Sequence, residues 1–253
     1  MTVVRDSYHL MMRALRESIR QPAVEVTNIF IPMFFFAVTV GAIGGVAGRA
    51  FGVTNFLGFQ MPVAILQAVA GSSGAAGLGT VTDIERGYFD KLMLTPAPRL
   101  SLVLGRLWGD AVRGMALTVI IIVTGLLFGS GMEAGVVGAV TIVLLAGAFA
   151  LAYSGIGMSI ALRTGSPQAA QAGFLLFFPL LFLSPAFAPK EVFSAWLEFL
   201  ATINPVTYIL QGMRHLVLDG WSWSHVGGAL ASIAGMAAFT LTLTLAALRS
   251  RTA

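Results

Sequence analysis

Two serines flanked by glycines, three histidines and one dense run of charges are the residues here whose types could do chemistry. Gly71-Ser72-Ser73-Gly74 would suit an exposed nucleophile, but a serine needs a base within hydrogen-bond reach. His9, His215 and His225 all lie outside the apolar stretches, and no lysine lies within one, so a hydrolase buried in a membrane would lack that base. The same histidines are too scattered along the chain to suggest a metal site, and with zero cysteines there is no thiolate ligand, disulfide or Cys nucleophile. No metal site is expected. No G-x-x-x-x-G-K-[ST] occurs, so the chain has no Walker-type phosphate cradle of its own.

The charged run is Asp83-Ile-Glu-Arg-Gly-Tyr-Phe-Asp-Lys-Leu-Met-Leu-Thr-Pro-Ala-Pro-Arg99. Its periodicity predicts a short amphipathic helix over 83–98. Ile84, Tyr88 and Leu92 fall at i, i+4 and i+8 with Phe89 and Met93 beside them, Glu85, Arg86 and Asp90 face away, and Pro96 and Pro98 end it. A helix that short is marginal alone, so it needs a membrane or a protein to dock on.

The rest of the chain must position that segment, and its composition says in what solvent. With 57% hydrophobic and 10% charged residues over 253, the chain has more apolar surface than a soluble core of that length could bury. Lipid is therefore the solvent for most of it. Fifteen Lys and Arg spread through so apolar a sequence make a poor phosphate-binding stripe, so nucleic acid is not an expected partner. Charge-free stretches long enough to cross a bilayer lie near 26–48, 57–82, 114–132, 136–162, 169–188 and 226–248, giving six spans. None contains an ionisable Asp, Glu, Lys, Arg or His, which speaks against a proton-coupled or ion-coupled carrier. Twelve of the fifteen basic residues then fall on one side, against Arg49, Lys190 and Arg214 on the other. Both termini and the 83–113 loop are expected in the cytoplasm. The basic leader is followed by too long an apolar stretch, without an early small-residue cleavage site, to read as a cleaved signal peptide.

Over residues 1–25, Tyr8, Met11, Met12, Leu15 and Ile19 share one face and His9, Arg13, Arg16, Glu17 and Arg20 the other, the pattern of a helix lying on the inner membrane surface. Residues 189–225 are too apolar for a simple loop and too interrupted to cross. Phe193, Trp196, Leu197 and Leu200 follow helical spacing, Asn204-Pro205 breaks the run, and 206–218 resumes it, as expected of short re-entrant helices. Trp196, Trp221 and Trp223 also fit an interfacial aromatic belt. Along the spans, Gln60 and Gln67 share a face of the second, and Phe174, Phe177, Phe178 and Phe182 form a stripe on the fifth. These are candidate pathway residues, and the stripe equally suits packing or lipid contact.

Glu85-Arg-Gly, Leu92, Leu94-Thr-Pro, Arg99 and Leu104-Gly-Arg106 resemble the coupling-helix loop of ABC-2 type transporter permeases, and Asn204-Pro205, Tyr208 and Arg214 resemble the segment before that family's last span. The likeness covers essentially the whole chain and looks closest to the daunorubicin-resistance, drug-export type. One departure is Tyr88-Phe89-Asp90 where members more often carry Thr-Leu-Glu. The resemblance implies an all-α membrane protein of six transmembrane helices that forms one domain and is not itself an enzyme. It would pair with a second permease copy or homologue and with two copies of an ABC ATPase subunit, which bind the ATP and Mg. It also implies that Glu85, Arg86, Gly87, Tyr88, Phe89, Asp90, Leu92, Thr95 and Pro96 couple to that ATPase. Trp196, Asn204, Pro205, Tyr208 and Arg214 would form an outer gate. The implied function is export of a lipophilic or amphipathic drug or lipid across the plasma membrane of a bacterial cell. A lipid-linked glycan exporter of the same family, and a secondary transporter or channel-like protein, are the alternatives.

Overall fold

The computed structural model describes residues 3–88, 91, 94 and 99–252, and every regular element among them is helical. In chain order these are α1 (Val3–Ile19), α2 (Pro22–Phe51), α3 (Phe56–Ser72), α4 (Ala75–Glu85), α5 (Arg99–Leu127), α6 (Gly135–Thr164), α7 (Pro167–Leu175), α8 (Phe177–Phe182), α9 (Ala195–Ile203), α10 (Pro205–Leu218) and α11 (Trp223–Thr252). A 3-10 turn at Lys190–Val192 precedes α9.

Local chemistry sets most of the boundaries. Pro22, Pro167 and Pro205 open α2, α7 and α10, where the missing N–H has no helical partner to lose. Ser166 caps α7 by accepting from Ala169 N–H, and Asn204 caps α10 by accepting from Val206 N–H. Gly165, left-handed at φ 62°, ends α6.

Among the described residues, five helices are long and apolar enough to span a bilayer: Pro22–Ala47, Phe56–Glu85, Leu100–Leu127, Gly135–Thr164 and Trp223–Ser250. The predicted fifth span, 169–188, is not one continuous helix. It forms α7 and α8, which together run Pro167–Phe182, then irregular chain. Pro179 is the cause: it lacks an N–H and its ring crowds the carbonyl four residues back, at Leu175, where α7 stops.

The predicted third span began at 114, and the structure corrects that start. The α5 helix starts at Arg99, so Arg106, Asp110 and Arg113 lie within a long helix rather than a loop. Asp83 and Glu85 likewise belong to the second long helix and Glu25 to the first, so the expectation of charge-free spans does not hold. The 83–98 helix is corrected at its start as well. Asp83–Glu85 form the end of α4, and a turn at Arg86–Gly87, with Gly87 at φ 64°, separates them from Tyr88. Phe89, Asp90, Leu92, Thr95 and Pro96 lie outside the described residues.

The main core gathers α3, α5, α6, α8 and α10 around Phe149, Phe177, Met61, Leu66 and Met213. Small residues let the backbones approach. A Cβ on Gly155 would strike Thr240, whose hydroxyl donates to Ala152 O at 2.7 Å, and Thr244 donates to Gly155 O at 2.9 Å, tying α11 to α6. Gly77, Gly157 and Gly173 similarly bring α4, α6 and α7 into backbone contact.

Candidate translocation groove and its two ends

The second long helix is interrupted where its sequence turns small and polar. Ser72 and Ser73 hydroxyls both donate back to Val69 O, at 2.9 and 2.7 Å, which competes with the helical ladder and bends it. The chain restarts as α4 behind Gly74, which offers no side-chain cap. Asp110 of α5 supplies the missing acceptor: its Oδ2 receives Ala76 N–H at 3.1 Å, placing a carboxylate at the positive end of α4. The Gly-Ser-Ser-Gly run is thus a helix break, with no histidine beside it among the described contacts.

Beside this break lies a cavity of about 480 Å³ walled by α2, α3–α4 and α7–α8. Phe35, Phe174 and Phe178 give it aromatic walls, and Asn28, Gln67, Gln168 and Gln171 give it carboxamides. A second cavity of about 430 Å³ continues toward the end of α4 and shares Val24, Ala75, Leu78, Arg113 and Gln171 with the first. In the other direction Gln67 and Phe35 also border a pocket of only about 20 Å³, with Gln60, Phe36, Thr39 and Phe187. The adjoining cavities are therefore wide toward the end of α4 and narrow toward Gln60.

Gln60 and Gln67 do share a face on this path. Gln60 is buried and its Oε1 has no partner, whereas Gln67 borders the open cavity. The phenylalanine stripe divides into three roles. Phe174 and Phe178 line the groove, Phe177 sits fully in the core against Phe149 and Tyr153, and Phe182 is exposed with its ring stacked on Phe187.

The wide end is ionic. Asp83 receives Arg13 of α1 at 2.7 Å and Arg106 of α5, and Gly79 leaves room for the Arg106 guanidinium, which a Cβ there would strike. Arg113 donates to Glu25 of α2 at 2.5 Å and to Asp110 at 3.2 Å, and Ser18 of α1 donates to the same Glu25 oxygen. Two chains of charge thus join α1, α2, α4 and α5. Hydropathy alone does not single them out, and only the pairing across helices reveals their use.

Arg13 departs from the charged face expected for it with His9, Arg16, Glu17 and Arg20: it turns inward to Asp83 and lies over the Tyr88 ring at 4.2 Å. The docking face of α1 is Ser7, Leu10 and Ala14, packed where Gly105 and Gly109 of α5 carry no side chain. Tyr8 and Ile19 remain exposed, as their apolar face requires of a surface helix, while Met11, Met12 and Leu15 are half-buried. Glu85 and Arg86 are also exposed, beside that docking region.

The narrow end rests on Arg214 of α10. Its guanidinium donates to Phe59 O at 3.1 Å, Pro185 O at 2.8 Å and Ala186 O at 3.4 Å, and stands 3.4 Å over the Phe59 ring. Burial pulls its pKa down to about 9, which leaves it cationic at neutral pH. Asn204 donates to Leu180 O at 2.5 Å and Tyr208 OH to Thr202 O at 2.7 Å, fixing the turn between α9 and α10. Pro205 starts α10, and Trp196 points outward, away from this cluster, at 64% exposure. The histidines are less scattered than their spacing suggests: His215 and His225 stack with centroids 3.6 Å apart.

An all-helical protein with at least five membrane-length helices, an amphipathic N-terminal helix and a groove ending in a charged turn has the makings of a transporter's membrane subunit. The chain belongs to the ABC-2 type transporter family, whose profile matches residues 6–218. It is a multi-pass membrane permease subunit of an ABC transporter. Among curated relatives it is similar to the daunorubicin resistance ABC transporter permease DrrB1 of Streptomyces coeruleorubidus, 25% identical over 253 residues, covering 100% of this chain and 89% of that protein. The probable doxorubicin resistance permease DrrC of Mycobacterium tuberculosis (strain H37Rv) is 22% identical over 226 residues, 88% of this chain and 81% of its own. A putative transport permease, ycf38 of Cyanophora paradoxa, is 25% identical over 219 residues, 84% and 74% of the two chains.

Proposed function

We propose that this chain forms half of the membrane path of an exporter of lipophilic or amphipathic molecules, that the groove between α2, α3–α4 and α7–α8 takes the substrate, and that ATP hydrolysis by two partner ATPase subunits drives it. The observation that carries this reading is the pair of joined cavities, aromatic and carboxamide-lined in the middle and ionic at one end, a lining that suits a large amphiphile. The similarity to permeases named for daunorubicin and doxorubicin resistance supports the substrate class.

Six crossings with both termini in the cytoplasm fit the geometry. Gly173 of α7 packs on Gly157 near the ionic end, while Pro185 and Ala186 meet Arg214 at the opposite end, so 167–186 traverses the bundle although only part of it is helical. The ionic end is then cytoplasmic and Arg214 is the outer gate. Residues 83–98, including Glu85, Arg86, Gly87, Tyr88 and the undescribed Phe89, Asp90, Leu92, Thr95 and Pro96, meet the ATPase. ATP and Mg bind there, in the partner. A push on this segment reaches α4 directly and reaches α1 and α5 through Asp83, and it opens the path outward only if the ATPase holds the two states with different affinity. The membrane half works as a second copy or homologue pairs with this one.

Isolating the tagged chain from its native membrane in mild detergent and identifying what co-purifies tests the assembly. A Walker-motif ATPase at near-equal stoichiometry is expected, and its reproducible absence from folded protein overturns the proposal. Glu85→Gln with Asp90→Asn should cut transport and substrate-stimulated ATP hydrolysis while leaving membrane insertion intact.

A further inference from the structure

The stacked histidines serve neither the groove nor the ATPase contact, yet they sit beside the gate. His215 lies on α10 next to Arg214, and His225 lies in the first turn of α11. The two helices are joined by the turn at 219–222, where Gly220 adopts φ 95°. Within the hairpin Gly212 touches Ala229 and the His225 carbonyl, and the two rings stack with planes 23° apart. Each Nδ1 is engaged on its own side, His215 with Asp219 at 3.1 Å and His225 with the Ser222 hydroxyl at 2.9 Å. The Ser222 hydroxyl can donate or accept, so it suits either tautomer of a neutral ring.

Imidazole is the side chain that gains charge between pH 5 and 8. One imidazolium here would be met by Asp219, but a second would face the first ring to ring. The other titratable groups at this end are few. Exposed Glu133 lies on the segment whose backbone bonds α10 at Val217, and Arg214 points the other way into its carbonyls. Neither α3 nor α8 carries a titratable side chain, and α6 carries only Tyr153, in the core, and Arg163, at its far end. Lys190, Glu191 and Glu198 belong to the preceding turn and α9.

We propose that His215 and His225 form a proton-sensitive latch on the Arg214 gate. While neutral, the stacked rings hold α10 against α11. When both are protonated they repel, α10 loosens, and Arg214 is drawn off the carbonyls of Pro185 and Ala186. This rests on the assignment of Arg214 as the outer gate.

The native chain has no cysteine, so single cysteines report cleanly. Val226→Cys is placed in a buried position beside the latch, and Trp223→Cys, in an exposed one, corrects for the reagent's own pH dependence. Both are labelled from outside with a membrane-impermeant maleimide, in the full transporter in native membranes. The ratio of labelling at 226 to that at 223 should rise several-fold as pH falls from about 8 to 5, the range over which imidazole gains charge. The rise should vanish in His215→Gln/His225→Gln. A flat ratio in the parent protein, or an equal rise in the double-Gln variant, overturns the latch. A third variant separates the two claims: Arg214→Gln, read by labelling of Gln60→Cys at pH 7.5. If position 60 stays closed the gate assignment fails, and the latch with it. If it opens while the parent ratio ignores pH, only the latch fails.

Discussion

At the ionic end of the groove, Arg13, Arg106 and Arg113 each meet a carboxylate from another helix, whereas at the narrow end Arg214 meets main-chain carbonyls and an aromatic ring. Carboxylates can trade partners: Asp83 serves two arginines, and Arg113 serves Glu25 and Asp110 at once. An end built this way can move between pairings without leaving a charge bare. Carbonyls do not change rotamer, and those of Pro185 and Ala186 lie in irregular chain after α8, where no helix supplies their donors. A single planar fork satisfies them together, so the narrow end is held by one side chain. On the proposed mechanism the wide end would distribute a force and the narrow end would open as a unit.

The strongest challenge to this contrast is removal of Asp83. Asp83→Ala strips the largely buried Arg106 of its partner, where breaking one side of a pair costs about 3–5 kcal/mol, and leaves the partly exposed Arg13 with Glu17 alone. Denaturant titration of the detergent-solubilised protein should show that loss, and Asp83→Asn, which keeps the shape and removes the charge that both arginines meet, should show most of it. An asparagine variant as stable as the parent would mean that Asp83 is held by geometry rather than by charge. Next in size is Arg214→Lys. It keeps the charge but not the fork, and loses about two hydrogen bonds to carbonyls, at roughly 1.5–3 kcal/mol each for a charged donor, partly regained by the ammonium. A melting curve no lower than that of the parent would show that charge alone suffices there and that the two ends are not built differently.

Much of this was legible in the sequence. The apolar stretches located the long helices, and Asn204-Pro205 marked the start of α10. What escaped has physical causes. Pro179 was visible, but an apolar run reads as a span whether or not its backbone stays helical, so the α7–α8 break needed the chain in three dimensions. Arg106, Asp110 and Arg113 were counted as loop charges because hydropathy windows end a span at its first charge, while helix α5 continues through all three. Glu25–Arg113 and Arg13–Asp83 join residues far apart in sequence, and no spacing rule links such pairs. The motif at 83–98 is legible as a resemblance to a coupling helix, and its first residues, Asp83–Glu85, belong to the end of α4. Of the candidate pathway residues, Gln67, Phe174 and Phe178 line the cavity, while Phe177 is in the core because helical spacing gives a stripe without saying which wall it faces.

The finest distinction is at Asp110, which both neutralises Arg113 and caps α4. Asp110→Asn keeps an oxygen for Ala76 N–H and loses the charge, so it should retain the break between α3 and α4 while weakening the tie to α5 and, through Arg113, to α2. Asp110→Ala loses both. If the cap is the larger part, as the position at a helix N-terminus suggests, the alanine variant should fall below the asparagine variant by about 1 kcal/mol, the usual worth of a cap. Equal losses would place the whole effect in the Arg113 pairing, and the ionic end would then hold α5 without shaping the break at all. Transport adds a second readout: the asparagine variant leaves Arg113 paired to Glu25 alone, so coupling between the 83–98 segment and the groove should weaken while substrate binding is kept. A drop in binding with coupling intact would move Asp110 from the mechanical side of the groove to its lining.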